Sequence, residues 1–353
     1  MKKTIIGLIT ATLAAGAANA AVVYQKDGST IDIDGRVDVE MRGEKNKRTD
    51  LYDEGSRFRV RGFQKLGDSD FSALAAIEFR FSSGGQFAND VHAKRLFVGF
   101  TNPHIGSLTF GRQLTLGDHI PKANYTYEWG GNVFLDQHKK AAHFMSAAFG
   151  GVRLAADYYF GQADKNNGLS GGNSVWDEGQ GYGVGFFYDG KWDDWAFRLG
   201  SGYTNVMQSD TGLSDNEYKL VRAGVGFDVT YKLLSFGVDW AYGKAENDHN
   251  SLNIGFQKIA GFSVPLNKNN RFQVGLKYDL TLQNALYGAY YFANAKQAGV
   301  DDDYKMRGWM LGVDHKFTKQ VAVYLEGGTA KVTHTSMSDH KNHRMLLGAR
   351  IMF

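Results

Sequence analysis

The 353-residue chain reads as an all-β protein, a transmembrane antiparallel β-barrel of about sixteen strands. Three observations carry that expectation. Beyond the first twenty residues no apolar run approaches the ~20 residues a spanning helix requires, yet many segments alternate with period two. The connections between them alternate short and long, as they do when turns lie on one side of a membrane and loops on the other. One stretch, Gln113 to Gln137, has no sustained alternation although strand-like sequence flanks it, so a long loop there needs a task.

The N-terminus is set apart. Lys2 and Lys3 precede a largely apolar run from Ile5 to Ala18, and Ala18, Asn19 and Ala20 form a small-x-small cleavage site. Residues 1–20 are therefore expected to be a secretion signal cleaved after Ala20, with 21–353 a single barrel domain.

The first mature strand shows the alternation well. Ile31, Ile33, Gly35, Val37, Val39 and Met41 share one face, and Asp32, Asp34, Arg36, Asp38, Glu40 and Arg42 share the other. Further strands are expected near 55–66, 70–81, 93–102, 107–113, 139–149, 152–161, 181–188, 195–206, 217–231, 234–245, 271–282, 286–296, 305–317, 321–333 and 343–353. With 29–43 they number sixteen, an even count. The segments 45–54, 162–180, 207–216, 246–270 and 298–304 read as polar external loops. Phe71, Ala73, Ala75, Ile77, Phe79 and Phe81 then face lipid, as do Met345, Leu347, Ala349, Ile351 and Phe353, because a charge there costs ~2–4 kcal/mol near the midplane. Tyr158, Tyr159, Phe160, Tyr290, Tyr291 and Phe292 suit interfacial girdles. Pairing of Val22–Gln25 with the last strand would close the barrel.

Composition excludes several classes. Setting aside Lys2 and Lys3 leaves 38 basic residues against 37 acidic ones, so no nucleic-acid surface is indicated. There is no cysteine, hence no disulfide framework, while 44 glycines and 3 prolines suit strands and tight turns. His334, His340 and His343 fall in or beside the last external loop, and the Asp301–Asp303 cluster lacks the spacing of a calcium loop. No metal or cofactor is expected. A barrel enzyme would need a nucleophile and base in one motif, and no such pair stands out. An adhesin would carry a larger loop domain, and a substrate-specific channel a run of lumenal aromatics.

Folded inward, the 114–138 loop narrows a water-filled lumen. Arg57, Arg59 and Arg61 alternate onto one polar face, with Arg36 and Arg95 on polar faces nearby, forming a basic wall. Glu128 and Asp118 on the loop would oppose it, and charges of opposite sign across a narrow lumen set up a transverse field. Lys122 adds positive charge.

The chain also resembles the general diffusion porins of Gram-negative outer membranes. The likeness rests on Ala21-Val22-Val23-Tyr24 with Lys26-Asp27-Gly28, Ser56-Arg57-Phe58, and Gly106-Ser107-Leu108 leading to Gly111-Arg112. It continues in the loop element Glu128-Trp129-Gly130-Gly131, in Gly312-Val313-Asp314-His315, and in the terminal Phe353. The resemblance implies a homotrimer in the cell outer membrane, among outer-membrane lipid and lipopolysaccharide, passing small hydrophilic solutes and ions through barrels whose third external loop folds inward. It matches Arg36, Arg57 and Arg95 to the family's basic cluster, with Lys139 or Lys140 as a fourth member. Arg112 matches a further family arginine, although its parity with Leu108 and Phe110 leaves its direction open. Asn124 stands where many relatives carry a second loop carboxylate, which implies weaker cation preference, tending to mild anion preference.

Overall fold

Period-two alternation with short turns builds a sheet that closes on itself. The computed structural model of the protein describes residues 20–81, 90–129, 134–161, 180–209 and 217–353; the expected signal segment, Ala20 apart, lies outside them. The strands in order are β1 (Ala21–Lys26), β2 (Ser29–Glu44), β3 (Asp50–Asp53), β4 (Arg57–Lys65), β5 (Ser72–Phe81), β6 (Val91–Asn102), β7 (Gly106–Leu114), β8 (Gln137–Ser146) and β9 (Val152–Tyr159). They continue as β10 (Gly181–Trp192), β11 (Trp195–Ser209), β12 (Glu217–Tyr231), β13 (Leu234–Ala245), β14 (Lys268–Asp279), β15 (Asn284–Lys296), β16 (Tyr304–Lys316), β17 (Val321–His334) and β18 (Met337–Met352).

From β4 to β18 each strand pairs antiparallel with the next, β2 pairs with β4, and β18 pairs with β2. With the short β1 and β3 set aside, the wall has the expected sixteen strands. A closed barrel is what lets a sheet cross hydrocarbon, because no strand edge is left with unpaired backbone groups.

Closure differs from expectation in one respect. Val22–Gln25 does not lie beside the last strand. Asp27 and Gly28, both at positive φ (50° and 79°), form a tight turn that folds β1 back onto the start of β2. The last strand occupies the same edge of β2 further along, where the amides and carbonyls of Gly35 and Phe353 bond reciprocally at 2.8 and 3.0 Å. The start of β1 and the end of β18 thus meet nearly end to end on one edge of β2. Gly35 is required there, since a Cβ would meet the Phe353 ring at 2.5–2.7 Å.

The faces sort as the alternation predicts. Met345, Leu347, Ala349, Ile351 and Phe353 are exposed outward, and Arg344, Leu346 and Gly348 are buried inward. Among the aromatics assigned to girdles, Tyr158, Phe160 and Tyr290 are exposed, but Tyr159 and Tyr291 are fully buried on the inner face, because neighbours along a strand cannot share a side. Two loops are shorter than expected. β3 takes up part of the 45–54 segment by adding to β2, and β17 and β18 extend through His334, His340 and His343. Polarity there marks strand that has left the membrane, not the end of the strand.

Candidate functional site

The loop between β7 and β8 does enter the barrel, and its backbone is held by acidic side chains of the wall. Leu116 N donates to Asp157 Oδ2 at 2.8 Å. Lys122 N and Ala123 N donate to the two oxygens of Asp239 at 2.6 and 3.0 Å. The Tyr125 hydroxyl donates to Asp228. Further along, Tyr127 N and Glu128 N donate to Glu326 at 2.7 and 3.3 Å, and the Tyr127 hydroxyl donates to Asp314 at 2.9 Å. Bonds to ionised acceptors are about twice as strong as neutral ones, so these carboxylates fix the loop's path. Burial first, then the partner carboxylates, pushes both tyrosine hydroxyls well above their ordinary range, so each stays a donor.

The wall makes room for this path with glycine. Gly200, Gly226, Gly237 and Gly275 lie on adjacent strands β11 to β14, Gly200 paired with Gly226 and Gly237 with Gly275. A Cβ at Gly200 would lie 2.7 Å from Ile120 O, and one at Gly237 would lie 2.7 Å from Ala123 Cα. The loop lies in a trough cut by missing side chains.

An open cavity of about 630 Å³ lies between the basic wall and the first half of the loop. Arg57, Arg59 and Arg95 line it, as expected, and so do Asp118 and Lys122 from the loop. Arg59 pairs with Asp34 at 2.8 Å, and Arg80 and Arg95 share Glu78 at 2.7 Å each. Arg57 makes no hydrogen bond or ion pair to another described side chain, and the Lys122 ammonium donates to the His119 carbonyl without an acidic partner among the described residues. Burial, then His143 and Lys122, pushes the His119 imidazole down to about 3, so it adds no charge at neutral pH.

Several expected residues lie elsewhere. Arg61 is only 4% exposed and is bound to Asp32 at 2.7 Å, so it braces the wall. Arg36 donates to the carbonyls of Glu54 and Gly55. Arg112 and Lys139 line a separate cleft of about 140 Å³ with His92 and Lys94, Arg112 donating to the Ala93 carbonyl at 3.1 Å. Lys140 donates to the Gly161 carbonyl. Asn124 accepts from Thr126 N and Oγ1 within its own turn. Gly130 and Gly131 lie outside the described residues.

Glu128 is the largest correction. It does not face the basic wall across the lumen; it is 4% exposed and bound at the edge of that wall, to β2 and the neighbouring β18, with Arg42 Nη2 at 2.9 Å, Arg344 Nη2 at 3.1 Å and Lys258 Nζ at 2.6 Å. Glu40 and Glu54 complete the cluster, and all three carboxylates converge within 4.8 Å of one another. Arg42 Nη2 occupies the point of convergence, 2.8 Å from Glu40 and 3.0 Å from Glu54, so a guanidinium sits where a metal ion would. The acids Glu40, Glu44, Glu54 and Glu128 meet the bases Arg42, Lys258 and Arg344, with Lys47 bound to Glu44 at the rim. Burial and the adjacent Glu54 raise Glu128 to about 8. Burial works against Glu54 as well, but Glu128 and Lys258 hold it down to about 2, so the two titrate as a pair.

Arg80, Arg153, Arg198 and Asp136 also line the cavity and were not singled out from the sequence. Arg80 follows Glu78 on the same face, a pattern visible in the sequence. The role of Lys258 has no local signal.

A wall of arginines facing an inward loop inside a sixteen-strand barrel points to one family, and over residues 7–335 the chain matches the family profile of the Gram-negative porins. It belongs to that family. This porin is 33% identical over 374 residues to a major outer membrane protein of Pasteurella multocida, with all of both chains covered, and 34% identical to that of strain Pm70, again end to end. Among solved structures it resembles OmpF of Salmonella typhi in complex with daunomycin (TM-score 0.68, 15% identity, 94% of this chain and 100% of that one). It also resembles the anion-selective porin of Comamonas acidovorans (0.64, 16%, 92% and 100%) and a loop-L8 deletion mutant of OmpT from Vibrio cholerae (0.67, 19%, 93% and 100%). The porin is an outer-membrane channel, and the shared fold at these identities is that of the barrel.

Proposed function

We propose that this porin is a passive general diffusion channel for small hydrophilic solutes and ions, with a mild preference for anions and no catalytic step. The observation that carries the reading is a pair of cations, Arg57 and Lys122, that make no ion pair among the described residues and face one cavity from opposite sides. Carboxylates that offset their neighbours remain, so the field favours anions without holding them, and a pore must release what it admits. The 114–138 loop is the constriction, set by its backbone course and by Asp118 and Lys122, whereas Glu128 latches it. Residues 1–20 are a signal cleaved after Ala20, and 21–353 form one barrel that works as a homotrimer among outer-membrane lipid and lipopolysaccharide.

Single-channel recording in a planar bilayer under a salt gradient tests this reading. Large steps closing in thirds at high voltage, with a zero-current potential of mildly anion-selective sign, are expected. A folded barrel without conductance would overturn the channel reading, and strong cation selectivity would overturn the assignment of Arg57 and Lys122.

A further inference from the structure

The β13–β14 connection, residues 246–267, has the polar ends of an external loop but an apolar middle: Leu252, Ile254, Phe256, Ile259 and Leu266. All five are buried. They join Trp129 of the β7–β8 loop and the inward side chains Tyr287, Tyr291, Met306 and Met310 in one apolar cluster inside the barrel. The helical turn Gln257–Ala260 packs against β16, β17 and β18, further round the wall from β13 and β14, which carry the loop. It is seated by polar contacts at its tip. Asn342 Nδ2 donates to Ile259 O at 3.0 Å, Arg344 Nη1 donates to Lys258 O at 3.1 Å, and Lys258 Nζ reaches Glu54 and Glu128 at 2.5 and 2.6 Å.

We propose that this second inward loop is a fixed partition that closes the part of the lumen beside β14–β18, and that Lys258 is a specificity-determining residue. Above the loop's tip an outer cup of about 750 Å³ is lined by Arg42, Glu54, Glu128, Lys258 and Arg344, which form its floor. Solutes entering the cup meet that floor, and passage is confined to the cavity beside Arg57 and Lys122. Lys258 offsets the acidic Glu54 and Glu128 pair, which would otherwise face any route along these strands. The partition therefore both narrows the conducting section and removes a cation-attracting path, and the anion preference of the pore depends on it.

The proposal rests on the channel reading above, and its test separates the two. Replacing Ser251–Leu266 by a short glycine-serine turn opens a second route, so single-channel conductance rises and the zero-current potential moves toward cations. Lys258→Met, which leaves the loop's apolar anchors in place, shifts selectivity the same way without the rise in conductance. Unchanged conductance and selectivity in a folded shortened variant, or an unshifted zero-current potential in Lys258→Met, would each overturn the partition. Loss of conductance in the parent barrel would instead overturn the channel reading.

Discussion

Replacing Glu128 with glutamine separates two descriptions of the latch that a distance alone does not distinguish: a carboxylate gripped by three cations, or a carboxyl group that keeps its proton. Glu128 rises from an ordinary 4.5 to about 8 because it is buried and lies against Glu54. Because the two groups titrate as a pair, the proton they hold favours the folded state by something on the order of a few kcal/mol. A raised folded value means this contribution is fully present below pH 4.5 and is lost as pH climbs through 8. Glu54, lowered to about 2, acts in the opposite sense: its contribution is present above pH 4.5 and is lost only as pH falls through 2. Between pH 5 and 9 the Glu128 contribution dominates, so resistance of the barrel to heat or denaturant falls across that range. Glu128→Gln keeps the shape and the oxygen that takes Arg42 and Arg344, gives up the acceptor used by Lys258, and cannot ionise. It is expected to match the parent within about 1 kcal/mol at pH 5 and to lose the decline toward pH 9. Unfolding followed by gel mobility or tryptophan fluorescence across pH reads both. A variant that is several kcal/mol weaker at pH 5, or one that declines as steeply as the parent, would refute the proton-retaining latch.

Other expectations follow from the same geometry. Arg57→Glu should lower the anion-to-cation permeability ratio by about threefold per unit of charge changed at 0.1 M salt, since a charge acting through several ångströms of screened water contributes only a few tenths of a kcal/mol; an unchanged zero-current potential would remove Arg57 from the pathway. Gly237→Val places carbon within 2.7 Å of Ala123 Cα. Overpacking typically costs 1–3 kcal/mol, less than giving up both bonds to Asp239, so the loop should stay seated, and the barrel should lose about that much stability in a denaturant titration with its conductance nearly unchanged. Deleting Ala21–Gln25 bares the N-terminal end of the β2 edge, Ser29–Ile33, which β18 does not reach, and should lower the unfolding temperature; an unchanged melting profile would mean that β1 adds nothing to closure.

The barrel was legible because its signals are local. Alternation in Ile31–Arg42 and Met345–Phe353 needs only the pleat and the cost of a charge in lipid to become a wall with two faces. The inward course of 114–138 was legible too, from a long connection with a different texture. What the residues did not disclose was partner choice inside the lumen. Arg57, Arg59 and Arg61 look identical in sequence, yet Asp34 and Asp32, brought across by the register of β2 and β4, take up two of them and leave one. Glu128 reads as an opposing charge until Lys258, 130 residues away, and Arg42 and Arg344 arrive from three other elements. The second inward loop had one signal that could be read: apolar residues in a connection too rich in them to stand in water.

The inner face of β15 and β16 bears on assembly. Tyr287, Tyr291, Met306 and Met310 point inward while Leu286, Tyr290, Trp309 and Leu311 point outward, so these strands are apolar on both sides. Alternation alone gives them no reason to prefer one side out, since a one-residue slip would exchange one apolar face for another. Their orientation must be inherited from neighbours with a polar inner face, and their inner surface stays wet until both loops are inside. Loop entry is then a late step that the sheet waits for: a barrel sealed with either loop outside would hold a patch of water-exposed aromatic rings, a state less stable than the finished channel and open to correction.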